Sequence, residues 1–345
     1  MKIQKKVLTQ LEGCYATGYT VVDNEIRIML ATEEKGACYQ FSGSEFEKST
    51  VWDGPGGTMC IVQIPEKNGD FLSVQNFFPT FQAENSTIVW GKPNTDGSWD
   101  IKTFFKLPYL HRFDILRANG VNYFLGATLC TTKKHKEDWS DPGKIWVGAL
   151  PDTSDGKFEI HPIKEGLVRN HGYCHVSWNN KEAGIVTCDQ GAFVVMPPEQ
   201  PDGEWTIENI LDRPVSDIAI CDIDEDGELE LVTIEPFHGK EIAISKKING
   251  TYEIIWKYDK PVDFGHVVWG GKLRGIPTFI CGYREQEAEL FLIQYDSKNP
   301  LKFKVEVIDT GMGPSNITVI NGEEKDIIIA ANRVVGEAAL YIVTD

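Results

Sequence analysis

The chain repeats itself, and the repeat restricts the fold more than any other feature. An aromatic residue opens a short alternating strand, a small or polar residue follows about a dozen positions later, and an apolar strand comes next. The pattern runs from Phe46 to Met59-Cys60-Ile61-Val62, from Trp99 to His111-Arg112-Phe113-Asp114-Ile115, and from Phe158 to His175-Val176-Ser177-Trp178. It returns from Trp205 to Asp217, from Tyr252 to His266-Val267-Val268-Trp269, and from Phe303 to Asn316. With Met59, His111, His175, Asp217, His266 and Asn316 as markers, the steps are 52, 64, 42, 49 and 50 residues. Each copy continues into two further strands, as in Leu229–Ile234 followed by Glu241–Ile244. Four short strands in about 50 residues make a propeller blade. No stretch keeps a helical period.

A copy beginning near Tyr15 brings the total to seven. The last copy, ending at Thr344, lacks its outermost strand, and Ile3-Gln4-Lys5-Lys6-Val7-Leu8 stands ahead of the first copy as its replacement. Pairing the two would close the ring and remove two open sheet edges. The expectation is an all-β, seven-bladed β-propeller spanning residues 1–345 as one domain, with residues 1–10 supplying the outermost strand of the last blade.

Charge narrows the partners. Lys+Arg number 34 against 51 Asp+Glu, a formal net charge of −17. Phosphate backbones and anionic membrane surfaces require a basic footprint, so neither nucleic acid nor membrane is expected as a partner. Residues 1–10 lack the apolar core of a signal peptide, and the eight cysteines form no CxxC pair. The reading is a reduced, cytoplasmic protein.

In a propeller, the links between blades and the links between second and third strands open on one face. His111, His171, His175 and His266 fall where an innermost strand begins, and His238 falls in a second-to-third link. All five are therefore expected on one face near the central channel. Glu235, Asp189, Arg284, Glu287, Arg333 and Glu337 belong to the same links. Converging imidazoles and a carboxylate suit a divalent transition metal (zinc, manganese or iron), with His111, His175, His238, His266 and Glu235 as the expected ligand set. Arg284 and Arg333 are candidates to hold a carboxylate or a developing oxyanion. Phe77, Phe78, Phe81 and Trp139, in longer links of that face, would suit stacking on sugar rings.

A second motif is Asp222-Ile223-Asp224-Glu225-Asp226-Gly227-Glu228-Leu229-Glu230. Acids at positions 1, 3, 5 and 9 with Gly at 6 can wrap calcium, so Asp222, Asp224, Asp226 and Glu230 form a candidate structural calcium loop facing away from the histidines. It is not an EF-hand, because position 12 is Thr233. No GxSxG elbow, Walker loop or HExxH is present. The Gly54-Pro55-Gly56-Gly57 run reads as a blade link.

The acidic loop running into Leu229-Glu230-Leu231-Val232 resembles the FG-GAP/VCBS propeller repeat. Together with the histidines and Glu235-Pro236-Phe237-His238-Gly239, it resembles the propeller domain of aldos-2-ulose dehydratase-like sugar lyases. That resemblance implies a carbon–oxygen lyase that eliminates water from a small keto-sugar or oligosaccharide on a channel metal. The metal would acidify a C–H, His171 or Glu287 would take the proton, and Arg284 and Arg333 would hold the enolate. Two alternatives stand beside it: a non-catalytic glycan- or protein-binding propeller, and a metal-assisted glycoside hydrolase on the same face.

Overall fold

The polar alternation of the outermost strands and the unbroken apolar runs of the inner ones set the layers. Glu47–Trp52 leaves its first four residues exposed, whereas Glu230–Glu235 is buried along its whole length. A strand buried on both faces must lie between neighbouring sheets, and an outermost strand keeps water on one side. The computed structural model of the chain describes residues 1–79, 82–298 and 301–345, and its strands form seven four-stranded antiparallel sheets. No helix occurs among the described residues.

Six sheets are continuous in sequence: residues 14–52, 61–106, 110–167, 172–211, 217–257 and 263–309, here blades one to six. Blade seven joins Pro314–Ile320, Asp326–Asn332 and Glu337–Thr344 to the first strand of the chain, Lys2–Gln10. That strand runs antiparallel to the last, from Lys2 opposite Thr344 to Gln10 opposite Glu337, and closes the ring as expected. Lys5 adds ion pairs to Glu337 at 2.8 Å and Asp309 at 3.2 Å. Ion pairs that keep contact with solvent contribute little, so the ladder and its burial account for the closure.

The aromatic residues that open the copies are packing residues. Trp99 meets Phe71 edge-on at 5.1 Å, and Phe158 stacks on Phe104 at 5.0 Å. The Gly54–Gly57 run does link blades one and two. A Cβ on Gly57, whose φ is +61°, would stand 2.4 Å from the backbone nitrogen of Phe77, so glycine is required on both counts.

One backbone detail positions the site. The pairing of the innermost strand slips by a residue between Cys14 and Ala16, Leu110 and Arg112, Gly265 and Val267, and Pro314 and Asn316. The extra residues are Tyr15, His111, His266 and Ser315, and such bulges re-aim a side chain out of the ladder. In blades four and five, His171 and Ser216 stand immediately before the first paired residues, Gly172 and Asp217.

Candidate functional site

Four histidines meet at the channel. His111 and His171 lie with ring centroids 4.5 Å apart, His171 and His238 at 4.6 Å, and His238 and His266 at 5.3 Å. Their orientation follows from the backbone of the next blade round the ring. The Nδ1 of His111 lies 3.1 Å from the carbonyl oxygen of His171, that of His171 3.4 Å from Ser216, and that of His266 2.5 Å from Ser315. A ring nitrogen that donates to a carbonyl leaves its Nε2 lone pair free, which is the arrangement that orients metal-binding imidazoles. His238 is placed by its backbone N–H, which donates to Ser216 Oγ at 3.0 Å, and its Nε2 lies 3.0 Å from that of His171.

Burial pushes the pKa of all four well down, helped by the nearby Arg112, Arg284 and one another; His238 falls to about 3. The cluster is therefore neutral. The Tyr15 hydroxyl, its own pKa pushed up to about 12 by burial, lies 3.3 Å from His111 Nε2 and 3.5 Å from His266 Nε2. Ring nitrogens of His171, His238 and His266 lie within 4.8 Å of one another, so these three residues, from blades four, five and six, can hold one metal ion.

Tyr15, His111, Arg112 and His266 form a layer between two cavities. One, of about 260 Å³, is lined by the four histidines with Tyr15, Glu33, Lys136, Phe264 and Arg284. The other, of about 520 Å³, opens on the opposite side and includes Arg112, Asp114, His175, Asp217, Trp269 and Asn316 in its wall. Met59 and His266 line both.

Several expected roles are corrected by this geometry. His175 lies four residues beyond His171, half-exposed in the larger cavity, with its Nδ1 2.7 Å from Asp114. It is not in the histidine cluster. His171, expected to be a base, stands among the imidazoles in its stead, and burial pushes its pKa well down and so weakens it as a proton acceptor. Glu235 faces away from the cluster, taking both contacts from Arg213 Nε at 3.0 and 2.9 Å and a hydrogen bond from Thr233 Oγ1. Arg333 is neutralised by Glu33 at 2.6 Å and Glu34 at 2.9 Å. Glu287 is exposed and absent from the wall of the histidine cavity. Arg284 alone of the four proposed catalytic groups, apart from His171, lines that cavity. His111 belongs to the cluster, but its Nε2 faces Tyr15.

In the candidate calcium loop, carboxylate oxygens of Asp222, Asp224 and Asp226 lie within 4.8 Å of one another, and a lysine is seated against the acids. Lys246 Nζ sits among Asp224 at 3.0 Å, Asp226 at 2.8 Å and Glu230 at 2.7 Å. Asp222 accepts the backbone N–H groups of Asp226 and Gly227. A lysine ammonium thus stands where the sequence reading puts the cation.

Of the rim aromatics, Phe77 is fully buried, Phe78 is exposed, and Phe81 lies outside the described residues. Trp139 meets Phe237 at 5.4 Å, with Lys133 and Arg169 over its ring at 3.2 and 5.6 Å. Tyr15, Glu33 and Arg112 were not singled out from sequence. A bulge is the signal that would have found Tyr15, and bulges are not legible in a single sequence.

No protein-family model matches the chain, and no curated protein matches it. Among solved structures it is similar to the β-propeller domain of Cps50 (Swd1) from Myceliophteria thermophila, at 8% identity with a TM-score of 0.58, covering 99% of this chain and 100% of that one. It is also similar to Sqt1 from Saccharomyces cerevisiae, at 8% identity with a TM-score of 0.56, covering 99% of this chain and 98% of that one. The FG-GAP/VCBS and sugar-lyase resemblance finds no support in these matches. The reading as a carbon–oxygen lyase is corrected: the likeness is to the Swd1 and Sqt1 propellers rather than to a sugar lyase, and Glu287 and Arg333 stand apart from the histidines. What the comparisons establish is the fold, a seven-bladed β-propeller.

Proposed function

We propose that the chain is a non-catalytic binding propeller that takes a protein partner on the face carrying the histidines, with a transition-metal ion bridging three blades in the channel. The observation that carries the first part is the rim of that face. Trp139 and Phe237 pack together under Lys133 and Arg169, while Phe78, Val334 and Val335 are exposed in links of the same face. Aromatic and arginine groups of this kind form the centres of protein interfaces. The likeness to the Swd1 and Sqt1 propellers supports the same reading.

The test is the size of the native assembly. The chain, isolated from its source at native abundance, is expected in a complex larger than its own 38.7 kDa. Trp139→Ala combined with Val334→Asp should weaken that complex at least about 10-fold while leaving the melting temperature unchanged. Ile254→Ser, on the outermost strand of blade five, should leave it intact. A complex indifferent to the double variant, or a chain that is always solitary, would sink the reading.

The metal rests on fit. Three neutral imidazoles converge, two with Nδ1 facing a backbone carbonyl, and His-rich sets suit zinc above harder ions. Bound there, the ion would tie blades four, five and six together. After incubation with zinc and desalting, about one ion per chain is expected by mass spectrometry. His238→Ala with His266→Ala should abolish it, and His175→Ala or Glu235→Gln should not. Equal loss in all three variants would discard this ligand set.

A further inference from the structure

The arginines near the histidine-bearing face are mostly neutralised by the protein itself. Arg333 faces Glu33 and Glu34, Arg169 faces Asp189 at 3.0 Å, and Arg213 faces Glu235. Arg284 differs. It lines the 260 Å³ cavity and, among the described residues, has no carboxylate within 4.0 Å. Its guanidinium lies over the Phe264 ring at 4.7 Å. Phe264 in turn stacks on His238 at 4.3 Å, so the arginine's support is itself packed.

We infer that this cavity is a carboxylate-binding pocket anchored by Arg284. A guanidinium seated over an aromatic ring still has its N–H groups available to a ligand, and a carboxylate is the group that matches their fork with two parallel hydrogen bonds. A cation in a partly desolvated cavity with no carboxylate in contact is costly even with Glu33 acting on it from a distance, and an incoming anion reduces the cost. The remaining wall does not oppose this. Lys136 adds positive charge, and Glu33 is paired with Arg333 at 2.6 Å. The volume suits a small organic acid or one carboxylate-bearing end of a peptide. The inference goes beyond the protein-partner reading and does not depend on it.

The experiment is calorimetric titration of the whole, chelator-treated chain. The probes are succinate, acetamide, and a short peptide with a free α-carboxylate beside its C-terminally amidated twin. Saturable binding of succinate or the free-acid peptide is expected, with acetamide and the amidated peptide at least about 10-fold weaker. Arg284→Gln should weaken the carboxylate probes about 10- to 100-fold, and Arg284→Lys, which keeps the charge and loses the fork, should fall between. If Arg284→Gln lowers the melting temperature, the lysine variant carries the comparison. Tighter binding of succinate identifies a free acid as the ligand, and tighter binding of the peptide identifies a partner's terminus. Absence of saturable carboxylate binding to the native chain, or equal binding by every variant, overturns the pocket. Neither result bears on whether the native assembly contains a partner.

Discussion

Acidification below pH 6.5 is expected to destabilise the metal-free chain by about 4 kcal/mol per pH unit, a slope set by the channel histidines. His111, His171, His238 and His266 are held neutral by burial, with His238 down at about 3. In the unfolded chain each titrates near 6.5. Below that value the unfolded state takes up protons that the folded state refuses. The stability these groups contribute is complete above about pH 6.5 and is lost as pH falls toward their folded values. Each contributes about 1.4 kcal/mol per pH unit. Asp217 opposes them. Burial raises it to about 7 against the pull of Arg112, so between about pH 7 and 4 the folded state holds a proton that the unfolded state releases. Four groups against one leave about three protons. His175 does not alter this window. Burial works against its charged form, but the hydrogen bond to Asp114 prevails and raises its pKa. Its contribution is therefore complete below about 6.5 and fades only as pH rises above that. A typical domain has about 5–15 kcal/mol in total, so the loss of about 6 kcal/mol by pH 5 would be a large fraction of it. Urea midpoints at pH 7.5, 6.5 and 5.5 in chelator measure the slope. His238→Gln should reduce it by about 1.4 kcal/mol per pH unit. A midpoint flat across this range would mean that the imidazoles are already charged or exposed.

Blade number and ring closure are legible in a single sequence because both follow from spacing and alternation, which are local. The shared face of His111, His171, His238 and His266 is legible for the same reason, since strand order assigns links to faces. Register is not. The tetrads His175-Val176-Ser177-Trp178 and His266-Val267-Val268-Trp269 read as equivalents, yet Trp178 ends a seven-residue strand and Trp269 sits four residues before the end of an eleven-residue one. The bulge at His266 turns that imidazole into the channel layer, while His175, in an unbulged strand, points into the larger cavity beside Asp114. Pairing choices are equally hidden. Glu235 and Arg333 sit in the right links by chain order, but partners from other segments, Arg213 and Glu33, had already claimed their charges. Nothing local in either segment announces that partner.

Lys246→Met is expected to destabilise the chain by about 3 kcal/mol at neutral pH, and calcium is expected to restore much of the loss. The ammonium holds Asp224, Asp226 and Glu230 at 3.0, 2.8 and 2.7 Å, and the Glu230 side chain is 1% exposed. Removing the lysine leaves the buried Glu230, the mostly buried Asp224 and the partly exposed Asp226 without that counter-charge, and breaking such a set costs more than the set contributes when intact. The pH dependence has a definite sign. Asp226 is held below its ordinary value by the hydrogen bond from Lys246, so its share of stability is present above about pH 4 and disappears as pH falls. The gap between the native chain and the variant should therefore narrow in acid, once the carboxylates accept protons. Asp222, Asp224 and Asp226 keep carboxylate oxygens within 4.8 Å of one another, a spacing that a calcium-sized ion can bridge. Thermal melts with and without millimolar calcium separate the possibilities. A rise in the variant with little change in the native chain means that Lys246 occupies a cation position the loop can still offer. A variant as stable as the native chain means the acids are solvated and the lysine is incidental, and a destabilised variant deaf to calcium means that the loop's geometry depends on the lysine itself.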